Sequence, residues 1–161
     1  LNFAALRKLS IIFFCENNGW AVSVPATRST AVQDIAARAH GYGVPGVVVD
    51  GNDGFAVFEA MEEAVKRARA GDGPTLIEAK VTRMFGHYIG DQQPYRADRD
   101  EAAGRDPLPG FRQALIDAGI LDVAAIEQLE RECAGEVERA VEQVRNAPLL
   151  PAELALADVY A

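Results

Sequence analysis

One stretch of this 161-residue chain decides its fold: Ile11-Ile12-Phe13-Phe14-Cys15-Glu16-Asn17-Asn18-Gly19-Trp20. An apolar run without alternation predicts a strand over residues 11–15 that is buried on both faces, as in a parallel sheet. Ligands of open parallel sheets bind beyond the carboxyl ends of the strands. The two amides and the glycine that follow the run therefore indicate a binding site.

Helical and strand patterns alternate through the first half of the chain. Thr30 and Gln33 have the spacing of a capping box for a helix that continues through Ile35 and ends at Gly41. The other predicted elements are a helix over 2–8, a strand over 47–49, a helix that Asp53 caps and Gly71 ends, and a strand over 75–81. This order predicts an α/β fold with a mostly parallel sheet flanked by helices.

The composition of the sequence changes after Thr82. Residues 83–110 are rich in glycine, proline and charge, which is typical of a functional or mobile loop. Asp122 then predicts the start of a long amphipathic helix. Its apolar side contains Ile126, Leu129, Cys133, Val137, Ala140 and Val144. This helix packs on the domain or forms a contact with another subunit.

Composition excludes some classes of function. The formal charge of −8 argues against nucleic acid and anionic membranes as partners. No apolar run approaches the roughly 20 residues of a membrane span, and the first residues lack the pattern of a signal peptide. The two distant cysteines do not predict a disulfide framework, so we expect a cytoplasmic protein.

Beyond this general pattern, the chain resembles the alpha subunit of two-chain thiamine diphosphate-dependent dehydrogenases. Those are the first components of the pyruvate, branched-chain 2-oxo acid and acetoin dehydrogenase complexes. The matching pieces are Leu1-Asn2-Phe3-Ala4-Ala5-Leu6, Cys15-Glu16-Asn17-Asn18-Gly19-Trp20, Ala36-Ala37-Arg38-Ala39-His40-Gly41-Tyr42-Gly43, Val49-Asp50-Gly51-Asn52-Asp53, Gly73-Pro74-Thr75-Leu76-Ile77-Glu78-Ala79 and Phe85-Gly86-His87-Tyr88-Ile89-Gly90-Asp91. The likeness runs from Leu1 to about Leu121.

The resemblance implies a site for thiamine diphosphate and Mg²⁺. The Asn18 side chain and the Trp20 backbone carbonyl match the family's metal ligands, and Mg²⁺ prefers such oxygens. Arg83 and His87 match residues that contact the diphosphate, and His87 also suits proton transfer near the reacting carbonyl. Gly19 allows the turn that aims both ligand oxygens at one ion.

The resemblance also implies an organisation of the chain and a set of partners. Residues 1–86 match the C-terminal part of a thiamine diphosphate-binding domain, 87–110 a loop that covers the cofactor, and 111–161 a helical tail. The implied partners are a beta subunit in an alpha-two beta-two assembly, a lipoyl acyltransferase component and a small substrate. Pyruvate, a branched-chain 2-oxo acid and acetoin all remain open as that substrate.

Two alternatives stand beside this interpretation. The chain is a non-catalytic fragment, since the family's metal-binding Gly-Asp-Gly motif does not precede Asn17, or it is an unrelated doubly wound binding module. Gly71-Asp72-Gly73 lies after Asn17, at the end of a predicted helix, and is interpreted as a turn. Gly41-Tyr42-Gly43-Val44-Pro45-Gly46 matches a dinucleotide-binding fingerprint, but the predicted order of helix and strand around it is reversed.

Overall fold

The computed structural model describes residues 1–157, which divide into two compact units. The first unit is Leu1–Phe111, and the second begins at Arg112. Along the chain the elements are α1 (Asn2–Leu6), β1 (Ile12–Asn17), β2 (Trp20–Ala21), β3 (Val24–Pro25), α2 (Ala26–Ser29), a 3₁₀ helix (Ile35–Tyr42), β4 (Gly46–Asp50), α3 (Gly54–Ala70), β5 (Thr75–Lys80), α4 (Arg99–Ala103), α5 (Pro107–Asp117), α6 (Val123–Asn146) and a second 3₁₀ helix (Ala152–Leu156).

A three-stranded parallel sheet forms the centre of the first unit. Its strand order is β1-β5-β4, and β5 is parallel to both neighbours. The register places Asn17 and Asp50 on either side of Lys80 at the carboxyl edge. The predicted α/β fold with a parallel sheet is therefore confirmed, and the chain segments after β1, β4 and β5 all leave the sheet at one edge.

Burial is concentrated in β5 instead of β1. Ile77 and Glu78 in β5 have no exposed surface, whereas Ile11 and Phe14 are 38% and 39% exposed. The prediction that the first strand is buried on both faces is therefore wrong for this chain. The physical reason is position, because β5 lies between two strands while β1 occupies an edge of the sheet.

The helix predicted from Thr30 begins and ends later than expected. It is a 3₁₀ helix that follows Asp34, and the left-handed residue at its end is Gly43, with φ of 64°, not Gly41. The capping box is also wrong, because the Thr30 hydroxyl accepts a hydrogen bond from Arg38. The backbone N–H of Ala36 instead donates to the carboxylate of Glu78 at 2.7 Å, so a residue of the sheet satisfies this helix terminus.

Helix α3 agrees closely with its sequence signals. The Asp53 carboxylate accepts hydrogen bonds from the N–H groups of Phe55 and Ala56, which confirms it as the N-cap. Gly71 ends the helix in the left-handed conformation, with φ of 78°. Gly71-Asp72-Gly73 is therefore the turn between α3 and β5. The glycines near Gly43 likewise join a helix to β4, as interpreted from the sequence.

The second unit contains the long helix predicted after Asp122. The Asp122 carboxylate accepts a hydrogen bond from the Ala125 N–H at 2.8 Å and caps α6. Arg112 and Glu130 form an ion pair within this unit. Within residues 1–157, no helix combines the length and the apolar character that crossing a membrane requires.

Candidate functional site at the carboxyl edge of the sheet

Two consecutive asparagines shape the turn that follows β1. The Asn17 side-chain oxygen accepts from the N–H of Gly19 at 2.9 Å, and the Asn18 side-chain oxygen accepts from the N–H of Trp20 at 2.9 Å. Gly19 between them has φ of 75°, a conformation that favours glycine. Each amide oxygen has two lone pairs, so the Asn18 oxygen can still bind another group.

The turn leads directly into a short antiparallel ribbon, β2–β3. Trp20 is in register with Pro25, which has no backbone N–H to donate. The N–H of Ala26, the next residue, donates to the carbonyl of Gly19 at 2.7 Å. Pairing with Pro25 therefore does not engage the Trp20 carbonyl, which is the second predicted metal ligand.

Arg83 joins this ribbon to the loop that follows β5. Its guanidinium donates to the Val22 carbonyl at 2.7 Å and to the Tyr95 hydroxyl at 2.9 Å. The guanidinium carbon also lies 5.6 Å from the centre of the Trp20 ring, within cation–π range. Among the residues described, the Arg83 Nε–H has no hydrogen-bond partner although it is buried. One donor of this cation thus stays available.

Asp91 organises the loop itself. Its carboxylate accepts hydrogen bonds from the backbone N–H groups of His87 and Gln93, both at 2.9 Å, and from the Tyr95 hydroxyl. The hydrogen bond from Tyr95, followed by the one from the His87 N–H, lowers the pKa of Asp91. The same hydrogen bond to Asp91 raises the pKa of Tyr95. The carboxylate therefore fixes the backbone at His87 while the His87 side chain is exposed.

The buried Arg96 side chain connects different parts of the loop to each other and to the ribbon. It is only 2% exposed and pairs with the Asp98 carboxylate at 3.0 Å. It donates to the Arg83 carbonyl at 2.8 Å, and its guanidinium carbon lies 5.4 Å from the Trp20 ring centre. The Trp20 ring therefore contacts the guanidinium groups of Arg83 and Arg96.

The structure brings most of the predicted site residues into one network. Trp20 and Arg83 are in direct contact, and Asn18 lies two residues before Trp20. His87 is connected to Arg83 through Asp91 and Tyr95. An open depression of about 310 Å³ adjoins the turn, and its lining includes Asn17, Asn18 and Trp20. Asn18 lies outside the buried core and directly follows β1.

The residues that hold this network together are not among those that the sequence predicts for the site. Asp91 belongs to one of the matching motifs, while Tyr95 and Arg96 lie outside all of them. A signal was present, since an aspartate, a tyrosine and two arginines within one glycine-rich segment can satisfy each other. Within residues 1–157, no three His, Cys, Asp or Glu side chains are grouped to hold a metal ion.

Taken together, the fold and the site define a class of protein. It is an α/β protein with a candidate ligand site beyond the carboxyl ends of parallel strands, bordered by a loop that Arg83 and Arg96 anchor. Residues 1–153 match the family described as Dehydrogenase E1 component. The chain belongs to this family.

Individual relatives agree with that assignment. The chain is 44% identical to the alpha subunit of acetoin:2,6-dichlorophenolindophenol oxidoreductase of Cupriavidus necator, over 99% of this chain and 49% of the relative. It is 42% identical to the 2-oxoisovalerate dehydrogenase alpha subunit of Bacillus subtilis, with the same coverage. A chloroplastic pyruvate dehydrogenase E1 alpha-3 subunit of rice is 36% identical, over 99% of this chain and 38% of the relative. The chain spans about half the length of the two bacterial relatives.

Proposed function

We propose that this chain is part of the alpha subunit of a thiamine diphosphate-dependent dehydrogenase and holds the metal–diphosphate end of the cofactor. Asn18 and the Trp20 carbonyl bind Mg²⁺, while Arg83 and His87 contact the diphosphate. The observation that carries the proposal is the turn at Asn18 and Trp20, which lies at the carboxyl edge of the sheet and is joined to the loop by Arg83.

The residues present fit such a group. Mg²⁺ prefers about six oxygen ligands at roughly 2.0–2.1 Å, and it accepts amide and carbonyl oxygens. The Asn18 oxygen has a lone pair left after its bond to the Trp20 N–H, and the ribbon leaves the Trp20 carbonyl unpaired with Pro25. The buried Arg83 Nε–H, which lacks a partner among the described residues, is a donor suited to a phosphate oxygen.

Each residue of the site has a defined task in this proposal. Bound thiamine diphosphate supplies a carbon nucleophile and an electron sink for cleavage next to a carbonyl. Asn18 and Trp20 fix the metal end, and Arg83 holds charge at the diphosphate. The His87 imidazole, placed by the Asp91 contact to its backbone, moves a proton near the reacting carbonyl.

The proposed substrates are small molecules with a carbonyl next to the bond that breaks, namely a 2-oxo acid or acetoin. The acyl unit then passes to a lipoyl group on an acyltransferase component. A beta subunit completes the enzyme as an alpha-two beta-two assembly. Residues 87–110 form the loop over the cofactor, and the segment after it packs on the domain or on the partner subunit. We place the enzyme in the cytoplasm, and its two cysteines are free thiols.

Replacement of Asn18 by alanine tests the proposal. In the full-length alpha subunit assembled with the beta subunit, N18A removes one metal ligand. We expect the affinity for Mg²⁺ with thiamine diphosphate to fall by more than about 100-fold, beyond the loss that outer-shell changes cause. Isothermal titration measures this affinity, and circular dichroism checks the fold. The control N2A alters an exposed asparagine in α1 and should bind normally. Unchanged affinity in N18A would remove this residue from the site.

Two further measurements separate the proposal from its alternatives. The 161-residue chain alone should bind Mg²⁺ and thiamine diphosphate weakly or not at all, and micromolar binding would contradict this expectation. The assembled enzyme should reduce an artificial acceptor with acetoin, pyruvate or 3-methyl-2-oxobutanoate. If the assembly forms but neither binds the cofactor nor reacts with any of these, the chain is a non-catalytic module.

A further inference from the structure

Glu78 is a charged residue in the most protected position of the sheet. It lies in the middle of β5, has no exposed surface, and is in register with Cys15 on one side and Val48 on the other. A buried carboxylate is costly unless it is paired and hydrogen-bonded. The residue therefore needs an explanation that the packing of the strand alone does not provide.

Three donors from three different elements satisfy this carboxylate. One oxygen accepts from the Asn17 amide nitrogen at 2.6 Å and from the Lys80 ammonium at 2.7 Å. The other oxygen accepts from the N–H of Ala36 at 2.7 Å. Burial acts to raise the pKa of Glu78, but these donors outweigh it and the pKa is lowered. The side chain is therefore an acceptor at both oxygens.

An acceptor at this place selects one orientation of the Asn17 side chain. The amide must present its NH₂ group to Glu78, since its oxygen would be repelled by the carboxylate at 2.6 Å. The Asn17 oxygen then faces the N–H of Gly19, which it binds at 2.9 Å. The Asn17 amide therefore connects the buried Glu78 carboxylate to the backbone of the turn that contains Asn18 and Trp20.

We propose that Glu78 is a positioning residue for the metal site, acting through the orientation of the Asn17 amide. This inference rests on the proposed function of Asn18 and Trp20 and adds a residue outside the direct ligands. Lys80 completes the arrangement, because it pairs with Glu78 and with Asp34 at 3.0 Å and so balances the buried charge.

Reversing the polarity of the contact tests this inference. In E78Q, the new amide faces three donors with only one acceptor oxygen, so the contact to Asn17 or to Ala36 is lost. In N17D, two carboxylates face each other. In the double variant N17D/E78Q, the amide NH₂ introduced at position 78 donates to the carboxylate introduced at position 17, and the amide oxygen accepts from Ala36. The Lys80 ammonium, which loses its acceptor at position 78, keeps its pair with Asp34. The second oxygen of the new carboxylate accepts from Gly19. The hydrogen bond between positions 17 and 78 is then restored with donor and acceptor exchanged, and the bond from the Gly19 N–H is kept.

The measured quantity is the affinity for Mg²⁺ with thiamine diphosphate in the full-length alpha subunit assembled with the beta subunit. Each single variant should weaken it by about 10–100-fold, the usual effect of losing an outer-shell partner. The double variant should regain most of that loss. Wild-type affinity in N17D, where the donor to position 78 is removed outright, or no recovery in the double variant, overturns the inference.

A matched control separates positioning from general stability. Ile77 is the neighbouring fully buried residue of β5, and I77A removes packing without touching Asn17. We expect I77A to lower the unfolding temperature but to keep the metal affinity, and an affinity loss that follows the melting temperature overturns the inference. If E78Q does not fold, N17A provides the same test, since it removes the connecting amide.

The N18A variant separates a failure of the proposed metal site from a failure of the role of Glu78. If N18A and E78Q both keep full affinity, the proposed function fails. If N18A loses binding while N17D keeps it, the proposed function stands and the role of Glu78 is wrong.

Discussion

At the scale of single residues, Val22 has a backbone conformation that its side chain disfavours. Its φ is 55°, which is unusual for a β-branched residue. The conformation turns the chain between β2 and β3, and the Val22 carbonyl accepts the hydrogen bond from Arg83 at 2.7 Å. The turn thus places this acceptor beside the arginine that joins ribbon and loop, and strained residues often occur at such functional positions.

Replacement of Val22 by asparagine should therefore stabilise the protein. Asparagine tolerates the left-handed region, where other L-residues lose about 1–2 kcal/mol, and the carbonyl bond to Arg83 does not depend on the side chain. We expect a gain of about 1 kcal/mol, or an unfolding temperature higher by about 2–4 °C, in calorimetry of the full chain.

The matched control is V24N. Val24 lies in the extended strand β3 and is 41% exposed, so this substitution relieves no strain. It should leave stability unchanged or slightly lower. A lower melting temperature in V22N than in the wild type would show that the Val22 side chain contributes more than its backbone conformation costs.

At the scale of elements, the loop after β5 is held by charge and hydrogen bonds more than by apolar packing. Phe85 and Tyr88 are 72% and 65% exposed, while Arg96 and Gln93 are buried. Gly86 is required here, because a Cβ at this position would lie 2.6 Å from the Asp91 carbonyl oxygen. Polar contacts of this kind make the order of the loop sensitive to pH.

The loop should lose order in acid through Asp91. The pKa of this carboxyl is lowered by its donors in the folded state, so its contribution is present above the unfolded value of about 3.9 and is lost as the pH falls through the folded value. Hydrogen exchange of the His87 and Gln93 amides, corrected for intrinsic rates, should therefore accelerate below about pH 4.

The variant D91N should remove this pH dependence and exchange severalfold faster at neutral pH, because a neutral amide accepts less strongly. The control D100N alters a carboxylate that is 90% exposed and pairs only with Arg99 among the described residues. Its exchange profile should match the wild type. A D91N profile that still changes in the same acid range would assign the titration to another group.

Sequence reasoning succeeded where the signals were local. The cap at Asp53, the end of α3 at Gly71 and the turn at Gly19 depend on residues close together in the chain, and all three agree with the structure. It failed where distant residues decide. The start of the 3₁₀ helix depends on a carboxylate 42 residues away, and the orientation of Asn17 on the same group 61 residues away. Neither contact leaves a periodic trace in the sequence.

At the scale of the whole molecule, the two units differ in how they bury apolar surface. All residues of the described apolar core lie between Ala4 and Ala102, in the first unit. The second unit contains α6, whose apolar side is exposed, with Leu129, Val137 and Val144 at 47%, 64% and 75%. Exposed apolar residues repeated along a helix are typical of a surface that another chain covers.

A chain that ends at Phe111 should therefore fold but fail to assemble. The described strands and the described buried apolar residues all lie within residues 1–111, so we expect a cooperative thermal transition and the far-ultraviolet circular dichroism of an α/β protein. Association with the beta subunit, measured by analytical ultracentrifugation, should be lost because α6 is absent.

In the full-length subunit, V137E should weaken association by burying a charge, while the neighbouring substitution E138Q should not. If the shortened chain unfolds, the tail stabilises the domain itself, and if V137E assembles normally, the apolar side of α6 is not the contact.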